Sequence, residues 1–517
     1  MKKFVSLFLC MAMLVSLAAC GSKKSDTPAD SQSSADRDTL KVVMGYDPGT
    51  FDPGFSDDQS YYQTVRQIYE PLFKIDNDGT VEPWLCESYE YEDDVTLLVH
   101  LRDVKFSNGE PLTAEDVLWS FQRIKDEALP VSQINGLLLD QCEVVDDNTL
   151  RLVTDGIQAS LLAMLAYPAT GIGCKSAYEA ADGDYLNGAA VGTGPYKVVE
   201  YFAGDRTELT ANEYYWREGE PAMQNLQIRY ISDSTSRATE AKAKGADIII
   251  NINNRELDAV DAVDGMHVEQ VLSASTTYLM MNTDIEPLNN PKVREAISYA
   301  INVEQTIGLV YNNFGSAASG MVCPGILGYD EDTYAEYFGH GYNPEKAKEL
   351  LAEAGYPNGI TLEVALETGD SARHDMAEAF QAQMQPAGIT LSLNEMKSAV
   401  LAEYFNSGKQ QLSMSGFTCS DFEADGMLTQ IIPGSSNFSM LHYDDEEFLG
   451  LITKGSNTLD KNEREQIWKD TLENLASNYV LIPLWHKALV AGVSDNVENF
   501  ELTRDYEEHY FQNVTLK

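Results

Sequence analysis

Residues 83–124 read PWLCESYEYEDDVTLLVHLRDVKFSNGEPLTAEDVLWSFQRI. The stretch holds a strand, a tight turn and a capped helix in succession. VTLLVHLR (95–102) is rich in aliphatic residues and predicts a strand. Asn108-Gly109 is a turn signal. Thr113 is placed to cap a helix, with Asp116 near the third helical position to return the bond. Val117, Leu118 and Phe121 then give that helix one apolar face. The same alternation continues on both sides. KVVMG (41–45) predicts a buried strand. Asn290-Pro291 opens a helix with Val293, Ile297, Ala300 and Ile301 on one side. Asn343-Pro344 opens another, with Leu350, Leu351 and Ala354 as its stripe and Gly355 at the left-handed position after its end. Residues 360–365 predict a further strand. Helices and strands mixed in this way predict α/β lobes, and there is no internal repeat.

The chain has 517 residues, enough for about three structural units at ordinary domain sizes. Its formal charge is −45. Such a field repels phosphate backbones, so nucleic acid is excluded as a partner. The seven Cys form no CxxC pair, which leaves zinc ribbons and thioredoxin chemistry without support. The seven His form no HExxH, and no GxSxG elbow or Walker loop is present. Asp76-Asn77-Asp78-Gly79 hints at a calcium loop, but Lys74 and Leu85 stand where an EF-hand needs its first and last ligands, so a turn between strands is the better reading. Carboxylates are too abundant for any pair to be singled out as catalytic. The sequence therefore predicts no catalytic residue, no metal and no cofactor.

Lys2 and Lys3 precede an apolar run to Leu17, and Leu17-Ala18-Ala19-Cys20 follows. Residues 1–19 read as a secretory signal, too short to be a spanning helix. The tetrad resembles a bacterial lipobox, which implies that Cys20 is the first mature residue and carries a lipid. Residues 20–38 are rich in Ser, Asp, Ala and Lys and predict a flexible tether.

Residues 83–124 resemble a signature of the extracellular solute-binding proteins of family 5, the peptide and nickel receptors of ABC importers. Further blocks agree in order. Thr50-Phe51-Asp52-Pro53 is similar to the family's early turn, and Gly192-Thr193-Gly194-Pro195-Tyr196 to its GTGPY block. Asn212 to Trp216, with Gly219 and Pro221, is similar to its N-x-x-Y-W segment. Residues 291–296 and 343–359 complete the set. The resemblance implies a two-lobed, periplasmic-binding-protein-like clamp of class II (cluster C). Lobe I would span 39–275 and 487–517, with an extra subdomain at 58–188, and lobe II would span 276–486. Strands near 276–282 and 481–486 would form the hinge, and closure would enclose the ligand. The implied function is capture of di- or oligopeptides outside the membrane and delivery to the transmembrane subunits of an ABC permease. The receptor would be a monomer held to the membrane by the lipid on Cys20. A metal chelate or opine-like ligand is the alternative within the family. An extracellular hydrolase or adhesion protein is a more distant one.

The resemblance also implies site residues. Tyr46, after the first strand, would face the ligand backbone. Arg373 and His374 lie just ahead of the helix predicted at MAEAFQAQMQ, where peptide receptors of the family place a basic or imidazole residue, and Arg373 is the better match to a ligand carboxylate. Phe417 stands where peptide receptors carry a Trp. The Asp expected three residues on, which pairs with the ligand's amino group, is Ser420 here. Asp421 is one residue late, and Glu423 and Asp425 are reserves. Tyr278 and Trp485 place aromatics in the two hinge segments. Cys86 and Cys142 are the pair a bridge within the subdomain would join.

Overall fold

The computed structural model describes residues 38–56, 59–311, 314–435, 437–504 and 509–517. The signal segment, Cys20 and the tether to residue 37 lie outside the described residues. Among the described residues, no helix is long and apolar enough to cross a membrane.

The 83–124 segment folds as its chemistry dictates. Its strand covers Thr96–Leu101, Gly109 turns the chain at φ +91°, and the helix covers Ala114–Asp126. The Thr113 N–H donates to Asp116 Oδ2 (3.0 Å) while the Asp116 N–H donates to Thr113 Oγ1 (3.4 Å), a reciprocal cap. Asn290 and Asn343 cap the helices Pro291–Tyr299 and Pro344–Glu353 by accepting from Lys292 and Lys346. Gly79 (φ +80°) closes the turn between the strands Phe73–Ile75 and Val81–Pro83.

Among the described residues, eleven strands form one mixed sheet. In the first lobe Thr39–Met44 runs parallel to both Asn225–Tyr230 and Ile248–Ile250. In the second, Ile360–Glu367 runs parallel to both Ile389–Met396 and Leu412–Thr418. Two long antiparallel strands, Met266–Met281 and Leu481–Ser494, cross from one lobe to the other. Their register breaks between Leu272 and Thr276 and again between Thr277 and Tyr278. Such irregularities bend and twist a strand, and here they fall where the chain passes between lobes. The result is a two-lobed clamp with an additional sheet, ordered Cys86–Asp93, Thr96–Leu101, Thr149–Val153, Glu143–Asp146.

That added sheet corrects one expectation. Cys86 begins one edge strand, while Cys142 immediately precedes the other edge strand and contacts Val153 through its sulfur. Three strand spacings of about 4.8 Å each separate those edges, well beyond the reach of a disulfide of about 7 Å between Cα atoms. Both thiols are free.

The sequence blocks quoted above converge on two buried carboxyl centres. Arg123, from the Ala114–Asp126 helix, grips Asp52 of the early turn through both terminal nitrogens (2.5 and 3.0 Å), with Arg123 only 6% exposed. Glu70 is buried within a ring of neutral donors. Trp84 Nε1 (2.8 Å), Thr193 Oγ1 (2.8 Å), Tyr215 OH (2.9 Å) and Trp216 Nε1 (3.1 Å) all donate to it. Burial outweighs those four bonds and raises the Glu70 carboxyl to about 7. Gly192 and Gly194 let the chain lie against the backbone of Gln67 and Ile68, since a Cβ on Gly194 would sit 2.6 Å from the Ile68 carbonyl carbon. The two Gly, Thr193, Tyr215 and Trp216 are thus frame residues of the first lobe.

Candidate ligand site at the lobe boundary

Residues Cys419 to Gly426 leave the end of the Leu412–Thr418 strand and pass along the boundary between the lobes. Phe422 takes φ +57°, an uncommon conformation for an aromatic residue, and packs between Gly79 and the Arg504 guanidinium, both from the first lobe. Strain of this kind persists where surrounding contacts hold it. Here the Phe422 carbonyl accepts from the Leu327 N–H (2.8 Å) and the Ala424 N–H donates to the Leu327 carbonyl (3.0 Å).

This turn gathers three carboxyl groups. Glu423 is fully engaged: Arg464 grips it bidentately (2.6 and 2.8 Å) and Trp468 Nε1 donates to it (3.3 Å). The same Arg464 also donates to the Thr458 and Leu459 carbonyls. Asp421 accepts from the Glu423 N–H (3.2 Å). Asp425 is 7% exposed, is bonded by Ser160 of the first lobe, and leaves Oδ1 buried without a partner. Burial first, then mutual repulsion, raises Asp421 well above the usual carboxylate range. Asp425 rises to about 6 from burial and the Glu423 charge, against the pull of Arg464. One cation thus faces three carboxyls, and it is committed to Glu423. A ligand ammonium is the group that would neutralise the remaining pair.

A second cluster stands around Trp485. Its ring stacks on Tyr311 (3.8 Å between centroids, 10° between planes) and its Nε1 donates to the Phe314 carbonyl (3.0 Å). Burial raises the Tyr311 hydroxyl to about 12, with the Asp370 charge adding to that rise and Arg373 opposing it. Gly315 (φ +73°) lies under the indole, where a Cβ would meet Trp485 Nε1 and sit 2.6 Å from the His486 carbonyl. Gly315→Ala should therefore displace the indole and destabilise the protein by about 1–3 kcal/mol. The check is Trp fluorescence measured against Trp485→Phe. An unshifted Trp485 signal with unchanged stability would show that the loop yields instead.

The remaining candidates divide between these clusters and the core. Tyr46 is half-buried against the first lobe's core. Tyr278 is a core residue: its hydroxyl donates to the Met321 carbonyl (2.5 Å), and its ring meets Phe417, itself 4% exposed. Ser420 is half-buried beside Asp421. Arg373 does not precede its helix. Asp370 caps that helix and starts it at Ser371, so Arg373 falls in the first turn and its guanidinium folds back on Asp370 (2.7 Å). His374, from the same turn, lies on Glu395 and Glu378, chiefly the Glu395 bond raising its basicity. Asp375, next along, meets Arg255 of the first lobe across the cleft (3.1 Å).

The paired strands Met266–Met281 and Leu481–Ser494 are also joined by a buried imidazole. His486 Nε2 accepts from the Ser319 N–H (3.0 Å), so its proton sits on Nδ1 and goes to Thr276 Oγ1 (3.0 Å), with Cys323 Sγ 3.4 Å from both groups. Burial lowers His486 to about 4, keeping it neutral. Sequence reasoning missed Tyr311, Arg464 and Glu70. Only Tyr311 had a local cue, an aromatic ending the apolar face of the helix Val303–Tyr311.

The model of the bacterial extracellular solute-binding proteins, family 5, matches residues 80–438. The chain belongs to that family. Family 5 proteins are extracytoplasmic receptors that work with ABC permeases, and they are binding proteins, not enzymes. The chain is 28% identical to heme-binding protein A of Haemophilus influenzae, over 97% of each chain. It is 27% identical to the glutathione-binding protein GsiB of Escherichia coli K12, over 90% of this chain and 92% of that protein. The structure of HbpA2 from Haemophilus parasuis superposes with a TM-score of 0.82 at 25% identity, over 93% of this chain and all of that one. Among the described residues no group of His, Cys, Asp and Glu is arranged to hold a metal ion.

Proposed function

We propose that this family 5 receptor captures peptides with a free amino terminus and delivers them to an ABC permease, tethered to the membrane by a lipid on Cys20 and acting as a monomer. The observation that carries the proposal is the pair Asp421–Asp425 at the lobe boundary, where Asp425 Oδ1 is buried without a partner and Arg464 is spent on Glu423. A buried, unpaired carboxylate is costly, and a ligand ammonium would remove that cost on closure. Asp421 then takes the place of the Asp expected at position 420. The lobes would be 39–275 with 487–517, and 276–486, with the subdomain at 58–188. Glutathione, named for one relative, is itself a peptide with a free ammonium. Neither candidate-site imidazole favours a metal chelate: His486 uses both ring nitrogens inside the hinge, and His374 lies on Glu395 and Glu378.

The lipid-free chain (21–517), purified and then extracted under denaturing conditions, should release short peptides on mass spectrometry. A single non-peptide mass, a porphyrin or a metal would overturn the proposal. Arg373, paired with Asp370 in the first turn of its helix, would face the ligand carboxylate. Arg373→Ala should weaken free-carboxylate peptides about tenfold while sparing their amides in calorimetric titrations. Equal loss for both would remove Arg373 from that role.

A further inference from the structure

The C-terminal segment sends Arg504 to the lobe boundary, where its side chain meets three parts of the chain at once. Nε donates to the Leu272 carbonyl of the strand Met266–Met281 (2.9 Å), Nη1 to the Asn77 carbonyl of the first lobe (3.3 Å) and Nη2 to the Pro324 carbonyl of the second lobe. Its backbone is held as well. The Arg504 N–H donates to Asn77 Oδ1 (2.9 Å), and the Arg504 carbonyl accepts from the Ala274 N–H (2.9 Å). Burial lowers the guanidinium below its ordinary range, so this is not a solvated surface charge. A planar fork of fixed donors spans three separate carbonyls; the single nitrogen of a lysine does not.

These contacts lead to the turn at residues 419–426. The guanidinium lies 5.6 Å from the centre of the Phe422 ring. Pro324 and Gly325 lead into Leu327, which exchanges backbone bonds with Phe422 and Ala424 (2.8 and 3.0 Å). A Cβ on Gly325 would stand 2.6 Å from Arg504 Nη1, so that loop lies directly against the fork. Ala274, bonded to the Arg504 carbonyl, accepts from the Cys419 N–H through its own (3.0 Å). Asn77 belongs to the turn that sets Gly79 against Phe422. The 419–426 turn is thus gripped at Cys419, Phe422 and Ala424, and each grip traces back to Arg504. Phe422 sits at φ +57°, a conformation that relaxes when the contacts holding it loosen. A change in its backbone would re-aim Asp421 on one side and the segment to Asp425 on the other.

We propose that Arg504 is a positioning residue for the ligand site: it fixes the 419–426 turn so that Asp421 and Asp425 are presented together, and selectivity for a free ammonium depends on it. The proposal rests on the reading of that pair as the ammonium anchor. It adds that the anchor, although carried by the second lobe, is set by the C-terminal segment packed on the first.

The test uses the lipid-free chain, emptied by unfolding and refolding, and two measurements. Hydrogen exchange without ligand reads the turn itself. Arg504→Lys keeps the charge and loses the fork, so exchange across residues 419–427 should rise about tenfold while the helix Pro344–Glu353 stays unchanged. Retention from a casein digest half acetylated at its amino termini reads selectivity. Arg504→Lys should cut the preference for free-amino peptides about tenfold. Adding Phe422→Gly, which takes a positive φ at no steric cost, should recover about threefold of that loss. Asn77→Ala, a milder change, should shift both readouts the same way and keeps the test valid if Arg504→Lys folds poorly. Unchanged exchange at 419–427, or an intact preference in Arg504→Lys, would overturn the proposal. So would loosening spread evenly over the chain with no recovery by Phe422→Gly, the mark of a general stability role. A wild type with no preference would instead remove the ammonium anchor, and the exchange result would still decide whether Arg504 holds the turn.

Discussion

Asp421→Asn is expected to weaken binding of free-amino peptides about 100-fold, equivalent to about 3 kcal/mol. The substitution keeps the shape of the side chain and removes the charge that would face an ammonium of the ligand. Asp425→Asn should act in the same direction. It should also change the pH response. Asp425 titrates near 6 and Asp421 above the usual range, so in acid the empty site holds protons where the ligand's ammonium would sit. Wild-type affinity should therefore rise as pH goes from 5 to 7, and Asp425→Asn should flatten that rise. Calorimetric titration across this range measures both effects. An unchanged affinity in both variants would place the ligand elsewhere in the cleft. Glu423 makes a useful contrast. Its charge is consumed by Arg464 and Trp468, so Glu423→Gln should cost stability first, through an orphaned buried Arg464.

The second large effect is on stability. Glu70→Ala removes the acceptor of four donors in a site from which water is excluded. The cost should be about 3–5 kcal/mol, the range for leaving buried charge-assisted partners unmatched. With an unfolding entropy of ~2 cal/mol/K per residue, that is a fall of roughly 3–5 °C in Tm. Glu70→Gln tests the ionisation separately. The Glu70 carboxyl is raised in the fold, from 4.5 to about 7. Its protonated form therefore contributes stability that is fully present below pH 4.5 and is lost as pH rises through 7. That difference amounts to about 3 kcal/mol at 1.36 kcal/mol per pKa unit. Gln does not titrate. The deficit of Glu70→Gln relative to wild type should therefore be largest in acid and shrink toward neutral pH. A constant deficit in urea unfolding at pH 5 and pH 8 would show that Glu70 stays ionised throughout.

Local chemistry was legible in the sequence. Thr113 with Asp116, Asn343 with Pro344, and Gly355 at φ +97° each encode their structure within a few residues, and the structure follows them. The segments that the resemblance implies for the hinge lie in the strands Met266–Met281 and Leu481–Ser494. Long-range meetings left no such trace. Glu70 is one acid among 81 acidic residues, and its donors come from Trp84, Thr193, Tyr215 and Trp216, up to 146 residues away. Nothing near Cys86 or Cys142 reveals that three strand spacings separate them. The apolar pattern of the Ser371–Met384 helix begins only at Met376, while Asp370 caps the helix at Ser371, so the first turn that holds Arg373 carries no apolar signal. Tyr278 shows the limit of hinge position as a cue: a strand crossing between lobes is covered on both faces, and its aromatic was absorbed by the core. The role of Asp421 depends on a turn whose backbone is held at φ +57° at Phe422, and sequence spacing alone could not choose between positions 420 and 421.

The most direct measurement is a retention experiment. The lipid-free chain, freed of bound solute by unfolding and refolding, is mixed with a casein peptide digest in which half of every peptide has been acetylated at its amino terminus. The complexes are separated from free peptides and their contents quantified by mass spectrometry. An ammonium held by Asp421 and Asp425 requires that the retained peptides carry free amino termini and that their acetylated counterparts stay in the unbound fraction. Equal retention of both forms, or retention of neither, would contradict a peptide receptor anchored at that carboxylate pair.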